Sequence, residues 1–238
     1  MNWLTEFGEL LSKARLEGRS LVVVGGTGLC FKSALEGLSQ LPDIPEDVRG
    51  HWRSFALKAT FGELHGALAE RDTVMAERLH PSDTQRIVRA LEVIEGTGKS
   101  LSVWQNERST PLIARDEVVP VVLMPDRKVL HERIHRRFDL MMDHGAVEEA
   151  CALWAKGLDP NSQVMKAIGV KQLAEAAQGV TSMEWAIEKA KTETRRYAKR
   201  QSTFFRGQLS SWPILDPLNG EDVAAFVRSV KSAGFQGS

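Results

Sequence analysis

The sequence contains few of the residues that build metal sites, disulfides or membrane spans. Six scattered histidines and two cysteines among 238 residues show no zinc-site spacing. Cys30 and Cys151 lie far apart among apolar residues, which predicts reduced, buried thiols in a cytosolic protein. No apolar run approaches the roughly 18–20 residues that a membrane-spanning helix needs, and the charged N-terminus is unlike a signal peptide. We therefore expect a cytoplasmic protein with no membrane partner.

An excess of charge of either sign is missing as well, because 31 Lys and Arg residues balance 31 Asp and Glu residues. Net charge therefore says nothing about partners, and evidence for a nucleic-acid partner has to come from local clusters of basic residues. The hydrophobic content of 42% and the charged content of 26% are those of an ordinary globular domain. The length suits one large domain or a core with one inserted subdomain.

The start of the chain has the pattern of an α/β fold. Apolar residues at helical spacing predict a helix over 3–17. The apolar run LVVV at 21–24 predicts a buried parallel strand, and a glycine-rich turn at 25–28 leads into a second helix over 29–38. Residues 1–38 are therefore predicted to be part of an α/β core.

Between residues 39 and 112 the pattern changes, and helices alone are predicted. Pro42 and Pro45 mark a linker into this segment. Helical spacing then covers 46–56, 61–70, 73–79, 83–96 and 99–106. We therefore predict an inserted all-helical subdomain.

Residues 113–238 are predicted to form the remaining part of the α/β core, including a long basic helix. VVPVVLM at 118–124 predicts a second buried strand, and 212–216 a last short one. Helices are predicted over 127–142, 146–156, 164–176, 181–206 and 220–233. A buried parallel strand needs neighbours on both sides, so a sheet of two or three strands is incomplete.

Two glycine-rich segments could bind phosphate. In VVVGGTG at 22–28 a strand runs into a helix N-terminus, where backbone N–H groups form a nest for anions and Thr27 adds a hydroxyl donor. A tight turn without a ligand explains this segment equally well. The second segment, GTGKS at 96–100, imitates the end of a P-loop, but Val93 replaces the first glycine and a helix precedes it. It is predicted to be a helix C-cap with Gly98 at the turn.

Basic residues cluster in three places. Arg86 and Arg89, with Gln85 beside them, suit phosphate oxygens or base edges, although a solvated face paired with nearby glutamates is the usual alternative. A short cationic helix start covers 166–172. The strongest cluster lies between 187 and 206, with two acids and these seven basic residues: Lys189, Lys191, Arg195, Arg196, Lys199, Arg200 and Arg206.

Aromatic residues are interleaved with that last cluster. Tyr197, Phe204 and Phe205 lie on the same predicted helix as the seven cations. Such a helix suits an RNA backbone together with stacked or flipped bases. An amphipathic helix that docks its aromatic side chains into the core is an equally good interpretation.

In this order the segments resemble the tRNA dimethylallyltransferase (tRNA isopentenyltransferase) family. The similarity covers about residues 20–215 and rests on several long motifs in register. They are VGGTGL at 24–29, LHPSDTQRIVRALEV at 79–93, TGKSLS at 97–102, AIG with Lys171 and Gln172 at 167–172, and TRRYAKRQ at 194–201. Together they are far more specific than any one motif alone.

The resemblance implies a P-loop-NTPase-like α/β core with a helical insertion. It implies transfer of a dimethylallyl group from dimethylallyl diphosphate to N6 of the adenosine 3′ of the anticodon in tRNA. The base would be flipped into a channel, and Mg²⁺ and cationic side chains would stabilise the departing diphosphate. The implied partners are the anticodon stem-loop and dimethylallyl diphosphate, and the full-length family is expected to be monomeric.

The resemblance also implies site residues. Thr27 would line the reaction channel. The implied tRNA-binding residues are Arg49, Gln85, Arg86, Arg89, Lys166, Gly169, Lys171, Lys199, Arg200, Gln201 and Arg206. Among these, Lys166, Gly169 and Lys171 would lie near the diphosphate and the target nucleotide.

The sequence departs from the family pattern at several points. The family's G-x-T-x-S-G-K-[ST] loop, with its magnesium ligand, and its D-S-x-Q segment, with the general base, do not occur in these 238 residues. Lys166 replaces an arginine, and a lysine cannot make the same bidentate phosphate contact. Cys30, Val170 and Phe204 replace a tyrosine, an aromatic residue and a tryptophan.

These departures leave three interpretations. The first is a transferase whose N-terminal phosphate-binding lobe is missing from this sequence, so that the chain alone is impaired. The second is a catalytically inactive tRNA-binding module. The third is an unrelated α/β nucleotide-binding protein that uses the glycine-rich turn at 25–28.

Overall fold

A computed structural model describes residues 2–39, 41–160, 162–232 and 234 of the chain. The α-helices are α1 (Asn2–Leu16), α2 (Gly28–Glu36), α3 (Glu46–Lys58), α4 (Phe61–Arg71), α5 (Thr73–Arg78), α6 (Thr84–Thr97), α7 (Leu101–Asn106), α8 (Arg127–Asp143), α9 (Ala146–Trp154), α10 (Val170–Ala177), α11 (Met183–Gln208) and α12 (Gly220–Ser232). Short 3₁₀ segments cover Arg115–Glu117 and Val164–Lys166. The strands are β1 (Val122–Leu123) and β2 (Ile214–Leu215). Each predicted helix is present, and the one expected over 164–176 divides into a 3₁₀ turn and α10.

Two compact units make up the chain. One consists of residues 1–9 and 29–117, and the other of residues 10–28 and 118–238. The first is called the helical unit below because it contains α3–α7, and the second is called the basic unit because it contains α11. No helix in the described part of the chain is both long and apolar enough to cross a membrane.

The helical unit is built around helices α3–α7, whose apolar sides meet in one core. The largest fully buried side chains are Leu64, Leu68, Ile87, Leu91 and Val93, and Trp52 is 2% exposed. Thr60 begins α4 with a capping box, in which its side chain and that of Glu63 each accept a backbone N–H. Gly98 ends α6 in the left-handed region at φ 69° and ψ 6°, which confirms the predicted C-cap.

The two ends of the segment that contains α3–α7 are joined to each other. The amide of Ser109 donates to the carbonyl of Leu38 at 3.0 Å, and the amide of Leu38 donates to Oγ of Ser109 at 3.1 Å. Gly37, at φ 76°, lies so close that a Cβ there would come within 1.9 Å of the Ser109 carbonyl oxygen. Only glycine fits this position, because it accepts a positive φ and has no Cβ.

The basic unit contains a second core between α8, α9, α10 and α11. Its buried members are Phe138, Ala146, Ala150, Leu173, Ala186 and Ala190. Helix α10 packs against both α9 and α11, whose alanines leave room for a close approach, and Phe138 of α8 contributes the large side chain of this core. Strands β1 and β2 pair in parallel, with Val122 opposite Ile214 and Leu123 opposite Leu215, as expected for the predicted runs at 118–124 and 212–216.

Two predictions about burial are wrong. Residues 21–24 form no strand, and Val22 and Val24 are 90% and 86% exposed. Within 118–124 the strand is two residues long, and Leu123 is 53% exposed. An apolar run becomes a buried strand when neighbouring strands take up its backbone N–H and C=O groups, and the described residues supply none to 21–24.

The cysteines also differ from expectation. Cys30 and Cys151 are both free thiols, as predicted, but each is partly exposed rather than buried. Each lies on a helix, α2 and α9 respectively, at a position that only partly faces the rest of its unit.

Candidate nucleic-acid interface

Helix α11 carries the seven basic residues of the cluster at 187–206. Ser182 begins it by accepting the amide of Trp185 at 3.2 Å, and one stripe of the helix buries Ala186, Ala190 and Ala198. In TRRYAKRQ, Ala198 belongs to the buried stripe, and Arg196, Lys199 and Arg200 are exposed. The helix is therefore packed on one side and positively charged on the other.

The seven basic residues of this cluster fall into two groups. Three are held by other side chains: Lys191 Nζ lies 2.6 Å from Asp139 Oδ1, Lys189 lies 3.9 Å from Glu193, and Arg195 hydrogen-bonds His135 and Thr192. The other four are exposed and have no acidic partner among the described residues. They are Arg196, Lys199, Arg200 and Arg206. Unpaired, exposed cations on one helix are the groups that bind phosphate oxygens.

The aromatic residues divide in the same way. Phe204 and Phe205 are partly buried and pack edge to face, with ring centroids 6.5 Å apart. Tyr197 is 42% exposed, and the guanidinium of Arg200 lies over its ring at 5.6 Å from the centroid. The packing interpretation therefore holds for the two phenylalanines, while Tyr197 is exposed and has Arg200 over its ring.

The glycine-rich turn lies directly against α11. Gln201 Nε2 donates to the carbonyl oxygen of Gly26 at 2.9 Å. A Cβ on Gly28 would come within 2.5 Å of the Phe204 ring, so the close approach requires glycine there. Thr27 is exposed between these two contacts. The structure therefore brings together the predicted channel residue and the predicted RNA-binding end of α11, although the sequence separates them by about 170 residues.

The predicted diphosphate residues surround the start of α10. Lys166 is exposed in the 3₁₀ turn, and Lys171 is exposed with Glu175 at 3.6 Å. Gly169 is buried, at φ 104°, and its amide donates to Gln172 Oε1 at 3.1 Å. Gly169 therefore contributes backbone geometry rather than a side chain.

Gln172 is a residue whose role the sequence reasoning missed. Its Oε1 closes the turn at Gly169, and its Nε2 donates to Glu193 Oε2 at 2.7 Å, which ties α10 to α11. The signal that could have found it is a glutamine at the third position of a helix, where it commonly caps the N-terminus.

The remaining predicted residues lie on the helical unit, and most of them are held by acids. Gln85 and Arg86 are exposed on α6, with Arg86 Nη1 at 3.2 Å from Asp83 Oδ2. Arg89 Nη1 lies 3.1 Å from Glu92 Oε2. On α3, Arg49 Nη1 lies 3.7 Å from Glu46, and its buried Nε has no hydrogen-bond partner among the described residues.

Two titratable groups on α8 have shifted pKa values. Asp126 caps the helix, and the amides of Lys128 and Val129 lower the pKa of its carboxyl group. Partial burial lowers the pKa of His131, and the nearby Arg127, Arg195 and His135 lower it further. Both effects act on the helix that packs beside α11.

The magnesium ion that the resemblance implies stays a prediction. Among the described residues, no group of three or more His, Cys, Asp or Glu side chains is arranged to hold a metal, whereas Mg²⁺ commonly uses one or two carboxylates together with water and substrate phosphates. The acidic side chains near the candidate site are already paired with lysines, as Glu175 and Asp139 show. No step of the reaction is assigned to a metal held by these residues.

Comparison with known sequences gives consistent matches. A family model described as IPP transferase matches residues 1–208. A protein of Beijerinckia indica named tRNA dimethylallyltransferase is 47% identical over 219 residues, which cover 92% of this chain and 72% of that protein. A protein of Mesorhizobium japonicum with the same name is 46% identical over 229 residues, which cover 96% of this chain and 70% of that protein.

Solved structures agree in fold. The full-length tRNA isopentenylpyrophosphate transferase of Bacillus halodurans matches with a TM-score of 0.60 and 29% identity, over 98% of this chain and 73% of that one. A eukaryotic dimethylallyltransferase described as acting on tRNA matches with a TM-score of 0.71 and 24% identity, over 96% and 59% of the two chains, and shows the fold alone. These matches confirm the predicted fold class, an α/β core with a helical subdomain.

Proposed function

The chain belongs to the IPP transferase family, as its motifs predicted, and we propose that it serves in the prenylation of tRNA. The reaction is transfer of a dimethylallyl group from dimethylallyl diphosphate to N6 of the adenosine 3′ of the anticodon. The relatives named tRNA dimethylallyltransferase support this proposal. The proposal includes a cytoplasmic location and a monomeric state.

The structural observation that carries the proposal is the surface of α11. Four cations without acidic partners among the described residues lie on the helix whose Gln201 contacts the turn that carries Thr27. A tRNA anticodon loop is single-stranded and anionic, so its backbone suits these cations. A target base that leaves its stack reaches the neighbouring turn, where Thr27 supplies a hydroxyl group.

The other predicted residues take complementary parts in this proposal. Lys166 and Lys171, on either side of the buried turn at Gly169, would attract the diphosphate. The residues 39–112 would act as the tRNA-binding insertion between the two α/β segments 1–38 and 113–238. Its Arg49, Gln85, Arg86 and Arg89 would contact the anticodon arm.

The general base and the P-loop are the parts that these 238 residues do not supply. The chain spans 72% of the length of its relative from Beijerinckia indica. By resemblance the D-S-x-Q carboxylate accepts the proton from N6, and because this segment does not occur in the 238 residues, transfer by these residues alone is expected to be impaired.

A transfer assay tests the proposal. We would incubate the purified chain with Mg²⁺, dimethylallyl diphosphate and an anticodon stem-loop that has adenosine 3′ of the anticodon. Mass spectrometry then measures the increase in mass of the RNA. A parallel arm adds a separately made polypeptide that carries the P-loop and D-S-x-Q segments. A stem-loop with guanosine at the target position is the control. Product in the second arm alone is the expected result.

The catalytically inactive tRNA-binding module remains the second candidate. It is favoured by the retention of the open cations on α11 in a sequence that lacks both catalytic motifs. It predicts salt-sensitive binding of the stem-loop without product in either arm. An absence of RNA binding would contradict both candidates.

A further inference from the structure

A buried carboxylate joins two arginines on the surface of the helical unit. The side chain of Glu92, on α6, is 5% exposed. Its Oε2 lies 3.1 Å from Arg89 Nη1 on the same helix, and its Oε1 lies 3.2 Å from Arg53 Nε on α3. One carboxylate therefore holds two guanidinium groups, one from each of two packed helices.

The exposure of the three side chains differs sharply. Arg53 and Arg89 are 60% and 38% exposed, whereas Glu92 lies beneath them. Each arginine gives Glu92 one hydrogen bond, and its other N–H donors have no acceptor among the described residues. A guanidinium has five such donors, so both arginines retain donors for an outside acceptor.

The charge of this group is not balanced by its own members. Two guanidiniums and one carboxylate leave one positive charge. Arg49 lies one turn before Arg53 on α3, and Arg86 lies one turn before Arg89 on α6. Because Glu46 and Asp83 pair with Arg49 and Arg86, the uncompensated positive charge is the one shared by Arg53 and Arg89, and a phosphate that contacts these two arginines would neutralise it.

Burying a carboxylate costs free energy that a surface residue would not incur, and pairing offsets this cost. A pair of arginines whose rotamers are already fixed loses less side-chain entropy on binding than two free ones. The planar guanidinium also matches phosphate oxygens better than an ammonium group does. This combination of a buried anchor and exposed forks is suited to an RNA backbone.

We propose that Glu92 is a positioning residue that holds Arg53 and Arg89 ready for RNA phosphates, and that Arg53 is a further RNA-binding residue. The inference rests on the proposed function, because it takes the anticodon stem-loop as the RNA. It adds to the predicted surface an arginine that no family motif marked. It also assigns Glu92 the task of orienting both arginines without touching the RNA.

The test compares variants of the full chain by stem-loop affinity over a range of salt concentrations. Arg53→Ala is expected to weaken binding about tenfold at low salt and to reduce the slope of log K against log salt by about 1, since one phosphate contact is lost. Arg53→Lys keeps the charge and is expected to retain most of the slope. Arg78→Ala, which removes an exposed arginine from α5, is the matched control and should bind as the parent does.

Glu92→Gln separates positioning from structure. The amide has nearly the shape of the carboxylate but no charge to hold two guanidiniums. We expect the Glu92→Gln variant to be folded by circular dichroism and to bind RNA more weakly than the parent. In the double variant Arg53→Ala, Glu92→Gln, the loss of binding free energy should be smaller than the sum of the two single losses. A purely structural role would lower the melting temperature and leave the affinity and the salt slope of the folded protein unchanged, which would overturn the proposal.

The outcomes also separate this inference from the proposed function. If the parent chain binds the stem-loop but yields no product in either arm of the transfer assay, the transferase proposal is overturned. The comparison of the Arg53 and Glu92 variants can still be made in that case. Parent-like affinity and slope in Arg53→Ala would overturn the inference while transfer stands. A parent chain that binds no RNA would overturn both.

Discussion

Two of the basic surfaces in the described part of this protein are built in opposite ways. On α11 of the basic unit, four cations are exposed without acidic partners among the described residues. On α3 and α6 of the helical unit, Arg53, Arg86 and Arg89 are each held by a carboxylate within 3.2 Å. Cations of the first kind contribute mainly long-range attraction, and those of the second contribute fixed geometry.

This difference suggests a division of work in RNA binding. Exposed side chains without acidic partners attract a polyanion through long-range electrostatics, and their contribution to binding falls steeply with added salt. Guanidinium groups that a carboxylate already holds lose less side-chain conformational entropy when they bind, and they therefore favour one arrangement of phosphates. We expect the α11 surface to determine most of the affinity, and the α3–α6 surface to determine how the RNA is placed.

The largest effect is expected from removing the open cations. A variant with Arg196→Ala, Lys199→Ala and Arg206→Ala should bind the stem-loop on the order of a hundredfold more weakly at 0.1 M salt, with a salt slope reduced by about 3. Its melting temperature should stay near that of the parent, because these side chains have no acidic partner among the described residues. Filter binding at several salt concentrations measures the slope. An unchanged slope would show that α11 is not the RNA surface.

A smaller effect is expected at the contact between the turn and α11. In Gly28→Ala the new Cβ would meet the Phe204 ring at 2.5 Å, which should destabilise the protein by about 2 kcal/mol and shift the turn that carries Thr27. Urea unfolding measures the change. Gly50→Ala is the matched control, because nothing lies within 4 Å of a Cβ added at Gly50. Since alanine favours a helix more than glycine does, this variant should be more stable than the parent by up to about 1 kcal/mol. Equal stabilities for the two variants would contradict the close packing at Gly28.

Lys191 tests whether a paired cation of α11 contributes to RNA binding, since this lysine is buried and paired with Asp139. Lys191→Ala removes the contact with Asp139 at 2.6 Å and should destabilise the protein by about 1 kcal/mol, because Asp139 is itself exposed and remains solvated. RNA affinity and salt slope should be those of the parent. A lower salt slope would show that charge alone, and not exposure, determines which cations of α11 bind RNA.

The smallest effect is expected from pH. The pKa of His131 is lowered in the folded state, so the unfolded chain takes up a proton at a higher pH than the folded chain does. Stability should therefore fall as the pH falls through the usual range of histidine, near 6.5, towards the lowered pKa. Melting temperatures at pH 7.5 and 5.5 test this, and His131→Gln should reduce the difference. An equal difference in that variant would assign the pH effect to other groups.

Local sequence signals predicted the elements of this fold well. The helix bounds follow from apolar spacing and from caps such as Thr60 and Gly98, because both act within a few residues of the chain. The strands were harder to predict. Residues 21–24 have strong β-propensity and still form no strand, because a strand depends on partners that lie far away in sequence.

The candidate site was predictable as a set of residue types but not as an arrangement. The cluster at 187–206 appeared in the sequence as seven equivalent cations, and the structure divides it by the positions of Asp139, Glu193 and His135. Arg53 escaped notice because its significance depends on Glu92, which lies 39 residues away. The assignment of each residue to RNA or diphosphate stays a prediction.

By itself the sequence determined the family, the helices and the supply of basic residues, since motifs, caps and composition act locally. Tertiary structure alone decided which cations are open and which are paired. It also decided that Gly26 and Gly28 lie against Gln201 and Phe204. The physical reason is that burial and ion pairing depend on distances between side chains, and folding brings together groups that the chain separates by tens to hundreds of residues.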